Sequence, residues 1–307
     1  MRIAVMGAGA LGGYIGGRLA TAGHQVTLIA RGAHLEALQS NGLRIQSPKG
    51  DLHLPEIDAT DDPSSVGKVD VVMFMVKNYD VEDAAHGIKP MLGAKTMVVT
   101  CQNGISAWER LGKIIGVEKV LPGVVRFPAN IASPGVIRHT AENDTVSFGE
   151  VDGLASKRCQ NFKDALIEAG ITTIIPDNII HDLWTKFIVQ SALSSMTALT
   201  RLDIGPIRDN PASRQLFLDA MNEADLVGRA VVPELPLGNV EQSWKFMGTL
   251  PRTMHASMLD DLNNGKPIEV NYLSGEVVRL GELYGVPTPI HNVLNAALQP
   301  YLNGLPA

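Results

Sequence analysis

The sequence predicts an α/β protein in two parts, an N-terminal doubly wound sheet followed by a C-terminal all-helical domain. Three observations predict it. Strand-like and helix-like patterns alternate through the first half, which implies parallel strands joined by crossover helices. After Pro176-Asp177-Asn178 the pattern turns almost wholly helical. A length of 307 residues, 45% of them hydrophobic, suffices for two domains of ordinary size with a core each. The expected division is 1–176 and 177–307.

The first element is the apolar strand Arg2-Ile3-Ala4-Val5-Met6. Gly7-Ala8-Gly9-Ala10-Leu11-Gly12 follows at once and runs into a helix over residues 13–20. Each glycine has a mechanical task. Gly7 makes the tight turn, Gly9 lets a pyrophosphate approach the backbone, and Gly12 lets helix and strand pack closely. An anion there would meet unpaired N–H groups at the positive end of the helix dipole. A glycine-rich turn can also be purely structural, but its position between a strand and a helix, with a second strand at 25–30, makes the sheet Rossmann-type. Gly7, Ala8, Gly9, Ala10, Leu11 and Gly12 are therefore expected to line a dinucleotide. In NAD-specific sites an acid closes the second strand. Here Arg31 stands there, and a guanidinium can pair bidentately with a 2′-phosphate, so NADP is the expected cofactor. The competing reading of Arg31 is a solvated surface arginine.

Further buried strands are predicted at 69–76 and 96–100 with a helix near 81–88 between them. Strand patterns at 119–125, 135–140 and 145–148 are expected to extend the sheet. A helix over 157–169 and a last strand at 171–176 close the domain. The second half reads as helices over 180–199, 211–231, 241–246, 257–262, 271–284 and 291–301, the last after a Pro-Thr-Pro interruption. Ligands of open α/β sheets bind beyond the carboxyl ends of the strands, and the helical domain is expected to complete the substrate cleft there.

Composition narrows the function. A net charge of −6 gives no cationic field for nucleic acid, and no stretch approaches the ~20 apolar residues of a membrane span, so neither partner is expected. Two cysteines, far apart and outside any metal-like spacing, suit a reducing cytoplasm. The N-terminal apolar stretch is a strand broken by glycines rather than a signal peptide. The eight histidines show no metal-binding grouping, and no metal is expected.

Lys186 is the most suggestive residue of the helical half. It lies within Leu183-Trp184-Thr185-Lys186-Phe187-Ile188-Val189-Gln190-Ser191-Ala192-Leu193-Ser194, and spacing by four puts Lys186, Gln190 and Ser194 in one polar stripe. A lysine in a partly desolvated cleft can donate a proton near neutral pH, whereas at the surface it would only snorkel. Ser257 could donate to a substrate carboxylate. Glu269 follows a Gly-Lys-Pro turn at the predicted start of a helix, and the alternative reading of an acid there is that it complements the dipole. Lys77 ends one strand, and Gln102-Asn103-Gly104 follows another. Such positions face a cofactor crevice, though Asn-Gly is also an ordinary turn.

Taken together, these segments resemble the ketopantoate reductase (2-dehydropantoate 2-reductase) family along nearly the whole chain. The matching pieces are the GAGALGG turn, Val76-Lys77, Gln102-Asn103-Gly104, Leu183-Trp184-x-Lys186, Ser257-Met258-Leu259-x-Asp261 and Glu269-Val270-Asn271-Tyr272-Leu273-x-Gly275. The resemblance implies NADPH-dependent reduction of a 2-oxo acid, ketopantoate first, within pantothenate biosynthesis. It implies that Lys186 protonates the carbonyl oxygen and that Glu269 holds the substrate's distal hydroxyl. It further implies that Ser257 binds substrate, Asn103 bridges substrate and nicotinamide ribose, Lys77 lies beside the nicotinamide, and Arg31 faces the 2′-phosphate. The chain departs from the pattern at Gln190, Ser194 and Met254, where the family carries asparagine; this leaves the chemistry intact and opens the choice of 2-oxo acid.

The alternatives are a reductase of another branched or hydroxylated 2-oxo acid, a β-hydroxyacid or opine-type dehydrogenase, and a non-catalytic NADPH-binding regulator. Retention of both Lys186 and Glu269 argues against the regulator. A homodimer through the helical half is the expected assembly.

Overall fold

The computed structural model describes residues 1–306 and divides into two compact units, Met1–Gln102 with Ser106–Ile180, and Asn103–Ile105 with His181–Ala307. The division falls at 180/181, where the Pro-Asp-Asn run suggests 176/177.

In the first unit the chain runs β1 (Arg2–Met6), α1 (Ala10–Thr21), β2 (Gln25–Ile29), α2 (Gly32–Asn41), β3 (Leu43–Gln46), β4 (Leu52–Leu54), β5 (Asp58–Thr60) and β6 (Val69–Phe74). It continues through α3 (Val81–Gly87), β7 (Leu92–Thr100), α4 (Ala107–Ile115), β8 (Val120–Arg126), β9 (Ala129–Ser133), β10 (Val136–His139), β11 (Thr145–Phe148), α5 (Lys157–Glu168) and β12 (Thr173–Ile174). Eight strands form one sheet in the order β12-β11-β8-β7-β6-β1-β2-β5. From β5 to β8 every pair is parallel, and β11 joins β8 antiparallel. The chain builds outward from β1 through β2 to β5, then returns to the other side of β1 to lay down β6, β7 and β8. The strand order therefore reverses between β1 and β6, whose carboxyl ends are level, Met6 opposite Phe74.

Both faces of this sheet are covered. Tyr14, Ile15 and Leu19 of α1 and Phe162 and Leu166 of α5 pack with Val5, Val71 and Val99 on one face. Val81, Ala84 and Ala85 of α3 and Leu111 of α4 pack with Ala4, Val72 and Val98 on the other. Strands buried on both sides read as continuous apolar runs, which is why β6 and β7 were visible in the sequence.

One expectation is corrected. The strand at 135–140, here β10, does not extend the main sheet but belongs to a second, four-stranded sheet of order β4-β3-β10-β9. Its partner β3 lies some 90 residues earlier, Ile137 opposite Ile45, and no local pattern announces such a pairing. The last strand shrinks from 171–176 to Thr173–Ile174.

The second unit is all-helical: α6 (Ile179–Thr200), which begins just before the division, α7 (Ile204–Asp209), α8 (Pro211–Val231), α9 (Asn239–Thr249), α10 (Ser257–Asn263), α11 (Ser274–Tyr284) and α12 (Pro289–Leu298). A buried polar chain ties its helices. Ser195 Oγ on α6 meets Ser274 Oγ on α11 at 2.5 Å, Ser274 Oγ meets His291 Nδ1 at 3.0 Å, and His291 Nε2 reaches the Ala220 carbonyl on α8 at 2.9 Å. The Glu223 carboxylate accepts the N–H groups of Ile290 and His291 and so caps α12 from α8. The helix expected over 271–284 also needs correction. Val270–Tyr272 form a 3₁₀ turn, and Leu273, at φ −117° and ψ −98°, separates it from α11.

Candidate functional site

In the first unit the glycine turn lies where the strand order reverses. Gly7 has φ +93°, and a Cβ there would lie 2.8 Å from the Val76 nitrogen, so only glycine fits between β1 and the chain leaving β6. A Cβ at Gly12 would lie 2.5 Å from the Gly7 carbonyl oxygen and 2.9 Å from Val5 Cγ1, so this glycine lets α1 rest on β1. At Gly9 the result is opposite: a Cβ would meet no protein atom within 4 Å. Gly9 is also the N-cap of α1 and offers no side-chain cap to the first turn. Protein packing thus accounts for Gly7 and Gly12, and beside Gly9, at the start of the helix, it leaves open space. The turn fits a pyrophosphate.

Arg31 caps the start of α2 immediately after β2 and is exposed. Its guanidinium makes no hydrogen bond or ion pair among the described residues. Across the reversal point, Lys77 is half-buried at the start of a 3₁₀ turn, Asn78–Asp80. Gln102, singled out by sequence only as part of a Gln-Asn-Gly run, holds the end of β6: its Nε2 donates to the carbonyls of Phe74, at 2.8 Å, and Val76, at 3.2 Å. Arg110 pairs with Glu82 and donates to the Asn78 carbonyl, tying the same loop to α4. These supports were missed because their partners are 26 to 32 residues away in sequence.

In the second unit Lys186 is half-buried on α6, and its ammonium donates to Asn103 Oδ1 at 2.8 Å. The neighbouring tryptophan explains the orientation of the helix. A Cβ at Gly228 of α8 would lie 2.8 Å from Trp184 Cε3, so the indole packs flush on that helix, and Trp184 is buried. Two residues later on an α-helix is about 200° round the axis, so Lys186 leaves from the far side. One turn further, Gln190 Nε2 donates to Ser194 Oγ at 2.8 Å, with Ser194 only 1% exposed. The predicted polar stripe is therefore present, and two of its members satisfy each other.

Glu269 is 6% exposed. It precedes the 3₁₀ turn rather than α11, whose own first-turn acid is Glu276. The dipole-capping alternative for Glu269 is thereby removed. Ser257 is the exposed first residue of α10, and its hydroxyl makes no hydrogen bond among the described residues. The half-buried Met254 lies beside His255, whose ring bridges Asp203 at 2.7 Å and Asp260 at 3.1 Å. Among the predicted residues, then, hydrogen bonds join Lys186 to Asn103 and Gln190 to Ser194, and none joins Ser257 to either pair.

Comparison with known proteins follows the same division. Residues 3–153 match the family model Ketopantoate reductase PanE/ApbA, and residues 178–301 match that of its C-terminal region. A 2-dehydropantoate 2-reductase of Mesorhizobium japonicum is 33% identical over 94% of this chain and 94% of its own length. An uncharacterized oxidoreductase, YkpB, of Bacillus subtilis is 30% identical over 98% of this chain and 99% of its own. The crystal structure of a PanE/ApbA family ketopantoate reductase from Ralstonia eutropha superposes with a TM-score of 0.90 at 33% identity, covering 97% of each chain.

Proposed function

Because the chain belongs to the ketopantoate reductase family, we propose that it is an NADPH-dependent 2-oxo acid reductase that converts 2-dehydropantoate to pantoate in pantothenate biosynthesis. The observation that carries this reading is the half-buried Lys186 ammonium on an apolar helix, aimed by a hydrogen bond to Asn103.

Gly7, Ala8, Gly9, Ala10, Leu11 and Gly12 would hold the pyrophosphate, Arg31 the 2′-phosphate, and Lys77 and Asn103 the nicotinamide end. When bound, the reduced nicotinamide supplies the hydride. Lys186 keeps a proton at Nζ against the substrate's carbonyl oxygen, stabilises the negative charge as it develops there, and transfers the proton to it. Asn103 Oδ1 restrains the direction of Nζ. Glu269 accepts the substrate's distal hydroxyl, and Ser257 donates to its carboxylate. The product is a 2-hydroxy acid with one C–H and one O–H bond gained. The setting is cytoplasmic, consistent with Cys101 and Cys159 being buried and not joined in a disulfide, and the working form is a homodimer.

A different branched or hydroxylated 2-oxo acid is the second reading, and the Gln190–Ser194 hydrogen bond favours it. A Gln190 N–H engaged with a buried hydroxyl is not free for substrate, and Met254 offers only a weak acceptor. The deciding experiment is NADPH oxidation with ketopantoate, its deoxy analogue and a panel of 2-oxo acids. Ketopantoate should turn over, with a KM lowered when Ser194→Asn and Met254→Asn are combined. No turnover with any 2-oxo acid would overturn the reductase reading.

A further inference from the structure

The ring of His255 plays no part in the chemistry above, yet it lies two residues before Ser257, the first residue of α10. Its Nδ1 is 2.7 Å from Asp203 Oδ1, and its Nε2 is 3.1 Å from Asp260 Oδ1. An ionised carboxylate only accepts, so a ring held between two of them donates from both nitrogens and carries a charge.

Each arm of this bridge has a definite consequence. Ala256 is the N-cap of α10 and supplies no side-chain cap. His255 and Asp260 then stand at N′ and N4, the pair whose contact fixes the angle at which a chain enters a helix. Here that contact is ionic rather than apolar. The Ser257 hydroxyl makes no hydrogen bond among the described residues, so its direction follows the backbone at that entry. The second arm reaches the chain leaving α6. Asp203 is placed as the N-cap of α7, but its carboxylate caps nothing there and turns to His255 instead. The backbones run alongside: the Ile204 N–H donates to the Met254 carbonyl at 2.8 Å, and the Gly205 N–H to that of Arg252 at 2.9 Å. A Cβ at Gly205 would lie 2.8 Å from the Arg252 carbonyl oxygen, so only glycine allows this approach. The bridge thus ties the helix that bears Ser257 to the end of the helix that bears Lys186, Gln190 and Ser194.

We propose that His255 is a positioning residue for substrate binding: bridged to Asp203 and Asp260, it fixes the start of α10 so that the Ser257 hydroxyl meets the carboxylate of a 2-oxo acid. This rests on the role given to Ser257 above, and the test separates the two. The substrate is ketopantoate, or the 2-oxo acid of the panel that turns over best. Ser257→Ala should raise its KM about tenfold, the scale of one lost hydrogen bond to a charged group. His255→Ala removes both arms and Asp260→Ala the one within α10; each should raise KM about three- to tenfold. In both, kcat and the Kd of NADPH should stay within about twofold of the parent, as when binding common to ground and transition states is lost. His255→Ala combined with Ser257→Ala should be no worse than Ser257→Ala alone, because an absent hydroxyl cannot be misplaced. The proposal is overturned if the two losses multiply, or if His255→Ala keeps the parent's KM. It is equally overturned if kcat, NADPH binding and Tm fall together, which would make the bridge a structural tie only. Should Ser257→Ala itself leave KM unchanged, the reading of Ser257 fails, and this proposal with it.

Discussion

At the scale of single residues, a lysine on an apolar helix can be productive only if something fixes its ammonium, and for Lys186 Asn103 does so. Lys186→Ala should lower kcat by roughly 10²–10⁴ and leave NADPH binding nearly intact, because the lost interaction belongs to the transition state. Turnover within threefold of the parent would remove Lys186 from the mechanism. Arg31→Ala should weaken NADPH binding by about 1.5–3 kcal/mol with little change for NADH; an equal loss for both would place the 2′-phosphate elsewhere. At Glu269, a substrate lacking the hydroxyl leaves a buried carboxylate without that partner, so ketopantoate should outperform its deoxy analogue by roughly 1–3 kcal/mol in kcat/KM. A better deoxy substrate would end the ketopantoate assignment. The residues legible in sequence were those whose reasons are local, such as Gly7 in a turn or Lys186 in an i, i+4 stripe. The support that Gln102 gives to the end of β6 was not legible, because its partners Phe74 and Val76 are 28 and 26 residues away.

Elements were legible where they are long and uniform. The span predicted for α8 matches to the residue, since Asn210 caps it with its side chain, Pro211 starts it, and an apolar face runs through it. The 3₁₀ turn before α11 looks helical in sequence because its residues keep helical spacing, and the break lies in the backbone of Leu273. Two histidines of the helical unit should give opposite pH responses. Burial pushes His291 down to about 4 from the usual histidine value of 6.5, the Ala220 carbonyl opposing. Its contribution is complete above the unfolded value and is lost as pH falls from 6.5 through 4, up to about 3 kcal/mol. Denaturant titrations should show this slope in the parent and a flatter one in His291→Gln; identical slopes would mean that His291 does not carry it. His255 runs the other way. Burial lowers it, but the hydrogen bonds its ring donates to Asp260 and Asp203 outweigh that and raise it. Its stabilisation is present below the unfolded value and fades as pH rises through the folded one, a difference that His255→Gln should erase.

For the whole molecule, the sequence supplied the class of each half and the place where the pattern changes. It could not supply the four-stranded sheet, whose pairings join β3 to β10. A dinucleotide at one hundred times its Kd should add about 2.7 kcal/mol to the stability of the unit that holds the glycine turn, measurable by calorimetry with and without NADPH. No shift at saturating NADPH would count against the site. The helix behind that turn, α1, is clasped between two sheets. Cβ atoms at Gly12 and Gly16 would collide with Val5 and Leu28 of the large sheet and at Gly17 with Ile45 and Leu43 of the small one, while at Gly13 a Cβ would press to 3.1 Å from Ile137. Seven of its twelve residues are buried. A helix clasped in this way has almost no room to vary, so change in cofactor preference over evolutionary time must fall on positions outside it. Arg31, exposed and with no hydrogen bond or ion pair among the described residues, is such a position in the proposed site. Mutational drift should therefore scatter widely there while α1 remains nearly fixed, and a deep mutational scan scored on folding alone should tolerate most residues at 31 and few at 12, 13, 16 and 17.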